Sequence, residues 1–92
     1  MSRLTPESRP RLAPGCRLSE RSGETVALLL PESILRLNGP GLRIVQACDG
    51  VKTLGEIVQL LETEYASAAP ERVREDTLRF LELLHAKRAV DF

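Results

Sequence analysis

Residues 28–50, LLLPESILRLNGPGLRIVQACDG, contain the signals that decide the fold. A short apolar run ends at a Pro-Glu pair, and hydrophobicity then alternates over residues 34–37 before the chain reaches Gly-Pro-Gly. Alternation with period two is typical of a half-buried β-strand. We therefore expect residues 34–37 to form a short strand in which Leu35 and Leu37 face inward.

The same stretch continues into a helix. Asn38 is a good helix cap, because its side chain can accept a hydrogen bond from a free backbone N–H of the first turn. Leu42, Val45 and Cys48 then recur at helical spacing, and Asp49-Gly50 supplies a stop with a glycine available for a left-handed conformation.

Two further helices follow. Thr53 and Glu56 form a T-x-x-E capping box at the start of the second helix. Pro70 is suited to the first turn of the third, where its missing N–H costs nothing. Leu78 and Leu83 project on opposite shoulders of the third helix, so it has more than one surface to cover. The central apolar stripe of that helix is Val73, Thr77, Phe80, Leu81 and Leu84.

Upstream of these elements, residues 16–21 and 24–30 flank Ser22-Gly23 and predict a β-hairpin. Residues 1–14 combine prolines and arginines with little apolar periodicity, which predicts an extended or disordered arm. The sequence thus predicts a single α+β domain over residues 15–92. Its fold class is winged helix-turn-helix-like, with a three-stranded antiparallel sheet followed by three helices.

Composition limits the functions open to the chain. The 92 residues carry 13 basic and 13 acidic side chains, so no whole-molecule field attracts nucleic acid or an acidic membrane. Two Phe, one Tyr and no Trp leave almost no stacking platform for bases or flavins. No apolar run approaches the roughly twenty residues of a membrane span, and we expect a cytoplasmic protein with no membrane partner.

Residues for catalysis or metal binding are scarce. Cys16 and Cys48 have no CxxC spacing, which argues against a metal site or a disulfide framework and favours buried or half-buried thiols. His85 is the only histidine, and a lone imidazole near a helix end is usually a cap or a satisfied surface group. We expect no catalytic residue, no metal site and no cofactor.

A winged helix could also bind DNA through its third helix. That helix carries four acids, Glu71, Glu75, Asp76 and Glu82, whose carboxylates would meet the phosphates. A winged-helix nucleic-acid-binding domain is therefore kept only as the alternative interpretation, and we expect no nucleic acid as a partner.

The third predicted strand offers a different kind of site. If the strands run as a meander, this strand is a sheet margin whose free N–H and C=O groups can pair with an extended peptide, with the third helix as the opposite wall. The N-terminal arm or a second copy of the chain could cover the same margin instead. The candidate peptide-binding residues are Ser33, Ile34, Leu35, Arg36, Leu37, Asp76, Arg79 and Leu83.

The order of these motifs resembles a known family. The pattern LLLPE-x-x-x-x-LN, a helix closed by CDG, then TLGEIVQLL and D-x-L-x-F-L-x-x-L is similar to the pyrroloquinoline quinone (PQQ) biosynthesis family PqqD, over residues 11–92. The resemblance implies a non-enzymatic peptide chaperone without a cofactor. Members bind the precursor peptide PqqA and present it to the radical S-adenosylmethionine enzyme PqqE, and the resemblance implies that the peptide adds as a strand beside the third strand.

One feature departs from that pattern. Gly39-Pro40-Gly41 replaces the better helix formers expected after Leu-Asn, and we expect it to loosen the joint between sheet and helices. A loose joint permits exchange of elements between two copies. We therefore predict that a homodimer can form by swapping about residues 38–41.

Overall fold

A three-stranded antiparallel sheet precedes three helices in the computed structural model, which describes residues 4–19 and 26–92. The predicted fold class is confirmed, although two very short strands that the sequence did not reveal are added. The turn predicted at residues 22–23 lies outside the described residues. In chain order the elements are β1 (Arg11–Leu12), β2 (Arg17–Ser19), β3 (Val26–Leu29), β4 (Ile34–Leu37), α1 (Gly39–Ala47), α2 (Leu54–Glu64), α3 (Pro70–Ala86) and β5 (Val90–Asp91).

The main sheet has the strand order β2-β3-β4, with β3 in the centre. Leu28 of β3 is fully buried and lies opposite Leu18 of β2 and Leu35 of β4. In β4, Leu35 and Leu37 are half-buried whereas Ile34 and Arg36 are exposed. The alternation read from the sequence is therefore confirmed, and β4 is held to the domain through one face.

Helix α1 begins at Gly39, directly after its cap. The Asn38 Oδ1 atom accepts a hydrogen bond of 2.8 Å from the Gly41 backbone N–H, as the sequence predicted. The Gly-Pro-Gly segment that was expected to loosen the joint is thus the first turn of a helix. A Cβ on Gly41 would lie 3.0 Å from Asn38 Oδ1 and 3.3 Å from Phe80 Cζ, so this glycine permits a close approach.

The capping box of α2 is also confirmed. The Glu56 N–H donates to Thr53 Oγ1 over 3.2 Å, and the Thr53 N–H donates to Glu56 Oε1 over 2.7 Å. The bond from the Thr53 backbone lowers the pKa of Glu56. The start of α2 is therefore fixed by two side-chain bonds.

Helix α3 supplies much of the core. Its predicted stripe is buried except for Phe80, which is half-buried and packs at the edge of the core. Leu78 is half-buried against the core from one shoulder, whereas Leu83 on the other is 43% exposed. The fully buried centre joins sheet and helices through Leu28, Ile57, Leu81, Leu84, Ala89 and Val90.

The N-terminal segment is bound to the domain. Of the predicted arm, residues 4–14 are described: they make a turn closed by the Ser8 N–H to Thr5 carbonyl bond of 3.0 Å and then form β1, which pairs with β5. Ser8 and Pro6 carbonyls accept from the Leu54 N–H at 2.7 Å and the Gly55 N–H at 3.0 Å, while Pro10 is buried. Composition could not reveal this, because the acceptors are main-chain carbonyls that any residue carries. The boundary between arm and domain stays a prediction.

Within the described parts of the chain, no helix combines the length and apolar character needed to cross a bilayer. Cys16 is half-buried and Cys48 is buried, and neither is in a disulfide. The expectation for the two thiols is confirmed.

Candidate peptide-binding site

The outer edge of β4 is the first component of the candidate site. The Leu30 N–H donates to the Ser33 carbonyl over 2.9 Å, which closes a two-residue turn between β3 and β4. Hydrogen-bonded and non-hydrogen-bonded pairs alternate along an antiparallel ladder, so the next pair, Leu29 with Ile34, is of the non-hydrogen-bonded kind. The same holds for Arg36 opposite Ala27.

Consequently the N–H and C=O groups of Ile34 and Arg36 point away from β3, while those of Leu35 and Leu37 point toward it. In the part of the chain that the structure describes, no strand pairs with this outer side of β4. The edge thus offers two residues' worth of backbone donors and acceptors to another extended chain.

A groove of about 630 Å³ lies beside the C-terminal half of β4. Its walls come from β4, the first turn of α1 and the outward shoulder of α3. Gly41 is at its floor, where the absence of a side chain lets Phe80 approach. The lining residues are Arg36, Leu37, Asn38, Pro40, Gly41, Ile44, Asp76 and Phe80.

A smaller groove of about 350 Å³ lies at the other end of β4, where Ser33 and Glu32 meet Lys87 and Arg88. Asp76 is near the start of α3 and Lys87 follows its end, so α3 runs antiparallel to β4. The two grooves flank the strand at both ends with α3 opposite. An extended chain on the edge of β4 would lie between this strand and α3.

Asp76, which lines the groove, and three charged neighbours on the exposed side of α3 form only weak ion pairs. Asp76 Oδ2 lies 3.9 Å from Arg72 Nε, and Glu75 Oε1 lies 3.4 Å from Arg79 Nη2. All four side chains are largely exposed, and such pairs typically contribute little to stability. They can therefore exchange partners with a charged guest at small cost.

The groove unites three of the predicted site residues, Arg36, Leu37 and Asp76. Ser33 lies in the smaller groove. Ile34, Leu83 and Arg79 are exposed but do not line the main groove; the exposed fraction is 68% for Ile34 and 43% for Leu83. Leu35 faces the core and pairs with Leu28. The assignment of these residues to peptide binding stays a prediction.

Sequence reasoning missed the helical part of the groove. Phe80 was assigned to the core stripe, and Pro40 and Gly41 to a hinge. A signal was present, since two glycines in the first turn of a helix are poor helix formers and indicate a position where something approaches closely. Ile44 gave no such signal, because its side chain serves both the core and the groove.

Two groups that could carry chemistry, the Cys48 thiol and the His85 ring, are packed against their neighbours. Burial raises the pKa of the Cys48 thiol to about 12, which makes it a poor nucleophile at neutral pH. The His85 ring packs against the Phe92 ring with centroids 4.5 Å apart. Within residues 4–19 and 26–92, no three His, Cys, Asp or Glu side chains converge as metal ligands would.

Comparison with known proteins agrees with this geometry. Residues 25–90 match the family model for coenzyme PQQ synthesis protein D (PqqD). The chain belongs to the PqqD family. It is 35% identical to a PqqA binding protein of Xanthomonas axonopodis pv. citri and 36% identical to one of Xanthomonas campestris pv. campestris (strain B100), each over 96% of both chains.

A solved structure of a PqqD-family protein has the same fold. The solution structure of the PqqD truncation of Methylobacterium extorquens PqqCD superposes with a TM-score of 0.76 at 29% identity. The alignment covers 97% of this chain and 95% of that one. That PqqD is described as a functional, stand-alone recognition element for ribosomally synthesized and post-translationally modified peptides.

Proposed function

We propose that this protein is a non-enzymatic chaperone of PQQ biosynthesis that binds the precursor peptide PqqA as a strand added to β4. It then presents the bound peptide to the radical S-adenosylmethionine enzyme PqqE. The observation that carries the proposal is the outer edge of β4, where Ile34 and Arg36 direct free backbone groups toward a groove walled by α3. The names and the fold of the relatives support it.

Backbone pairing would supply affinity, and side-chain contacts in the groove would supply specificity. Each ladder hydrogen bond contributes about 0.5–1.5 kcal/mol net and is indifferent to the guest's side chains. Selection would come from the groove, where Arg36 and Asp76 present opposite charges beside the apolar Phe80. A guest bound in this way keeps its far edge and its outward side chains open, so PqqE can act on the peptide while it is held.

The decisive variant is Arg36→Pro, with Arg36→Ala as its matched control. Both lose the guanidinium, but only proline also loses an N–H that points outward, and proline is tolerated on an edge strand. We expect Arg36→Pro to bind PqqA about fivefold more weakly than Arg36→Ala in calorimetric titration, which corresponds to about 1 kcal/mol for the loss of one ladder bond. Equal affinities in two folded variants would exclude strand addition.

Leu35→Pro is a poorer test, because the Leu35 N–H points toward β3 and its removal would damage the sheet itself. Amide exchange gives an independent measurement. On addition of PqqA, the Ile34 and Arg36 amides should become protected, whereas those of Leu35 and Leu37 should change little. Protection of another segment in place of these two would locate the guest elsewhere.

The swapped homodimer about residues 38–41 stays a prediction. The Asn38 cap and the helical first turn of α1 have to open for such an exchange. Sedimentation equilibrium at increasing protein concentration tests it, and a monomer throughout would refute it.

A further inference from the structure

A second cleft adjoins the groove beyond the C-terminal end of β4. It encloses about 190 Å³ between the start of α1, the end of α2 and the start of α3. Pro40, Ile44 and Asp76 line both the cleft and the groove, so the two spaces are continuous across the first turns of α1. A guest chain that extends beyond Leu37 would reach this shared wall.

The walls of the cleft are mainly apolar. Leu61 and Tyr65 from the end of α2 face Val73 and Thr77 from α3. The Thr77 hydroxyl donates to the Val73 carbonyl over 2.8 Å, so its hydrogen-bonding capacity is already used and its methyl group adds to the apolar surface.

The other polar groups of the cleft are the Tyr65 hydroxyl and the side chains of Arg72 and Asp76, of which the last two are exposed and lie 3.9 Å from each other. The deeper walls are formed by the buried side chains of Ile44, Leu61, Val73 and Thr77. Against these walls a polar side chain would lose its hydration, whereas a large apolar one would gain by leaving water. At about 30 Å³ for each water, the volume corresponds to roughly six waters, which is the scale of one side chain.

The cleft is held in shape by bonds that do not involve a guest. Arg43 of α1 donates two hydrogen bonds to Glu64 at the end of α2, from Nη2 to Oε2 over 2.6 Å and from Nε to Oε1 over 2.8 Å. The Tyr65 N–H donates to the Leu61 carbonyl over 2.9 Å. A pre-formed cleft spares the guest the cost of ordering the protein.

We propose that this cleft is a second subsite for the peptide, which takes one large apolar side chain from the residues that flank the strand paired with β4. This inference rests on the strand addition proposed above and deepens it. The β4 edge would bind the peptide backbone regardless of its sequence, and the cleft would select for one side chain outside the paired segment.

Two alanines in the connection between α2 and α3 provide a matched test. Ala68 lines the cleft and Ala66 does not, and both are exposed. Ala68→Trp fills the cleft with its own indole, whereas Ala66→Trp adds the same group to the surface. We expect synthetic full-length PqqA to bind Ala68→Trp about tenfold more weakly, which corresponds to about 1.4 kcal/mol, and to bind Ala66→Trp within about twofold of the parent protein.

A second arm varies the peptide. In the parent protein, alanine replacement of one large apolar PqqA residue beside the paired segment should cost about tenfold in affinity, and in Ala68→Trp the same replacement should cost nothing further. Contacts between that guest side chain and the Tyr65 ring should appear as intermolecular nuclear Overhauser effects in the parent protein, which needs no variant to fold.

The outcomes separate the two proposals. Protected Ile34 and Arg36 amides together with equal binding by the two tryptophan variants would overturn the second subsite and leave strand addition intact. The absence of any Overhauser contact to Tyr65 in the bound parent protein would overturn it as well. Failure of those two amides to become protected would remove strand addition, and the second subsite with it.

Discussion

Strands β1 and β4 are both short, but the chain treats their edges in opposite ways. Arg11 in β1 has a partner on each side, Asp91 of β5 and Asp49 in the connection between α1 and α2. β4 pairs only with β3 among the described residues, and its other edge faces a groove. The difference teaches that the function of a short strand depends on what the rest of the chain brings to its outer side.

The N-terminal segment also satisfies donors that a helix cannot. The first N–H groups of α2 have no partner within the helix, and carbonyls of Pro6 and Ser8 accept two of them. A third bond joins the Gly50 N–H to the Pro10 carbonyl over 2.9 Å. The backbone of this segment is therefore used for stability, whereas the outer backbone of β4 is available for binding.

Removal of residues 1–10 gives the largest expected effect. The loss of three main-chain hydrogen bonds and of the buried Pro10 should lower the free energy of unfolding by about 4 kcal/mol in urea denaturation. At a temperature where the truncated protein is still folded, its affinity for PqqA should be unchanged. An unaltered midpoint of urea unfolding would show that the N-terminal segment does not stabilise the fold, contrary to the contrast drawn between β1 and β4.

The pair Val90→Ala and Ile34→Ala compares the two edges directly. Val90 is fully buried in β5, and its truncation should cost about 2 kcal/mol of stability by leaving a cavity. Ile34 is 68% exposed, so Ile34→Ala should change stability by less than about 0.5 kcal/mol. Only Ile34→Ala should weaken PqqA binding in calorimetry, and the reverse pattern would contradict the assignment of β4.

Loss of the α1 cap is expected to be smaller. Asn38→Ala removes the acceptor for the Gly41 N–H and should cost about 1 kcal/mol, with a similar cost for Thr53→Ala at the start of α2. Because Asn38 lines the groove and Thr53 does not, only Asn38→Ala should also weaken the peptide complex. Equal affinities of the two variants for PqqA would show that the first turn of α1 does not contribute to peptide binding.

The smallest effect concerns pH. A bond from the Lys52 side chain, helped by the Lys52 and Val51 backbone N–H groups, holds the pKa of Asp49 well below its usual range. A depressed carboxyl pKa contributes stability above its unfolded value of about 3.9 and loses it as the pH falls further. The parent protein should therefore exceed Asp49→Asn in stability at neutral pH, and the difference should shrink below about pH 4 in thermal melts. A difference independent of pH would show that Asp49 acts without its charge.

The elements with local signals were predictable from the sequence. The Thr53 and Glu56 box, the Asn38 cap and the alternation of β4 each depend on residues within a few positions of one another, and all three are confirmed. The inward stripe of α3 followed from helical spacing in the same way.

Interactions between distant segments had no such signal. The pairing of β1 with β5 joins positions about eighty residues apart through two-residue strands, too short for a hydrophobic period to be visible. The groove met the same difficulty, since Phe80 reads equally well as a core residue and as a wall of the site. Its role depends on the bare backbone of Gly41, which lies on another element.

The antiparallel pairing of Arg11 with Asp91 has a consequence for protein engineering. It places a residue near each end of the fold side by side on neighbouring strands. Residues 4–92 can therefore be inserted as a cassette into a surface loop of a host enzyme, with the hydrogen bonds of the Pro6, Ser8 and Pro10 carbonyls retained. A catalyst carrying this cassette would hold its own peptide substrate at high local concentration.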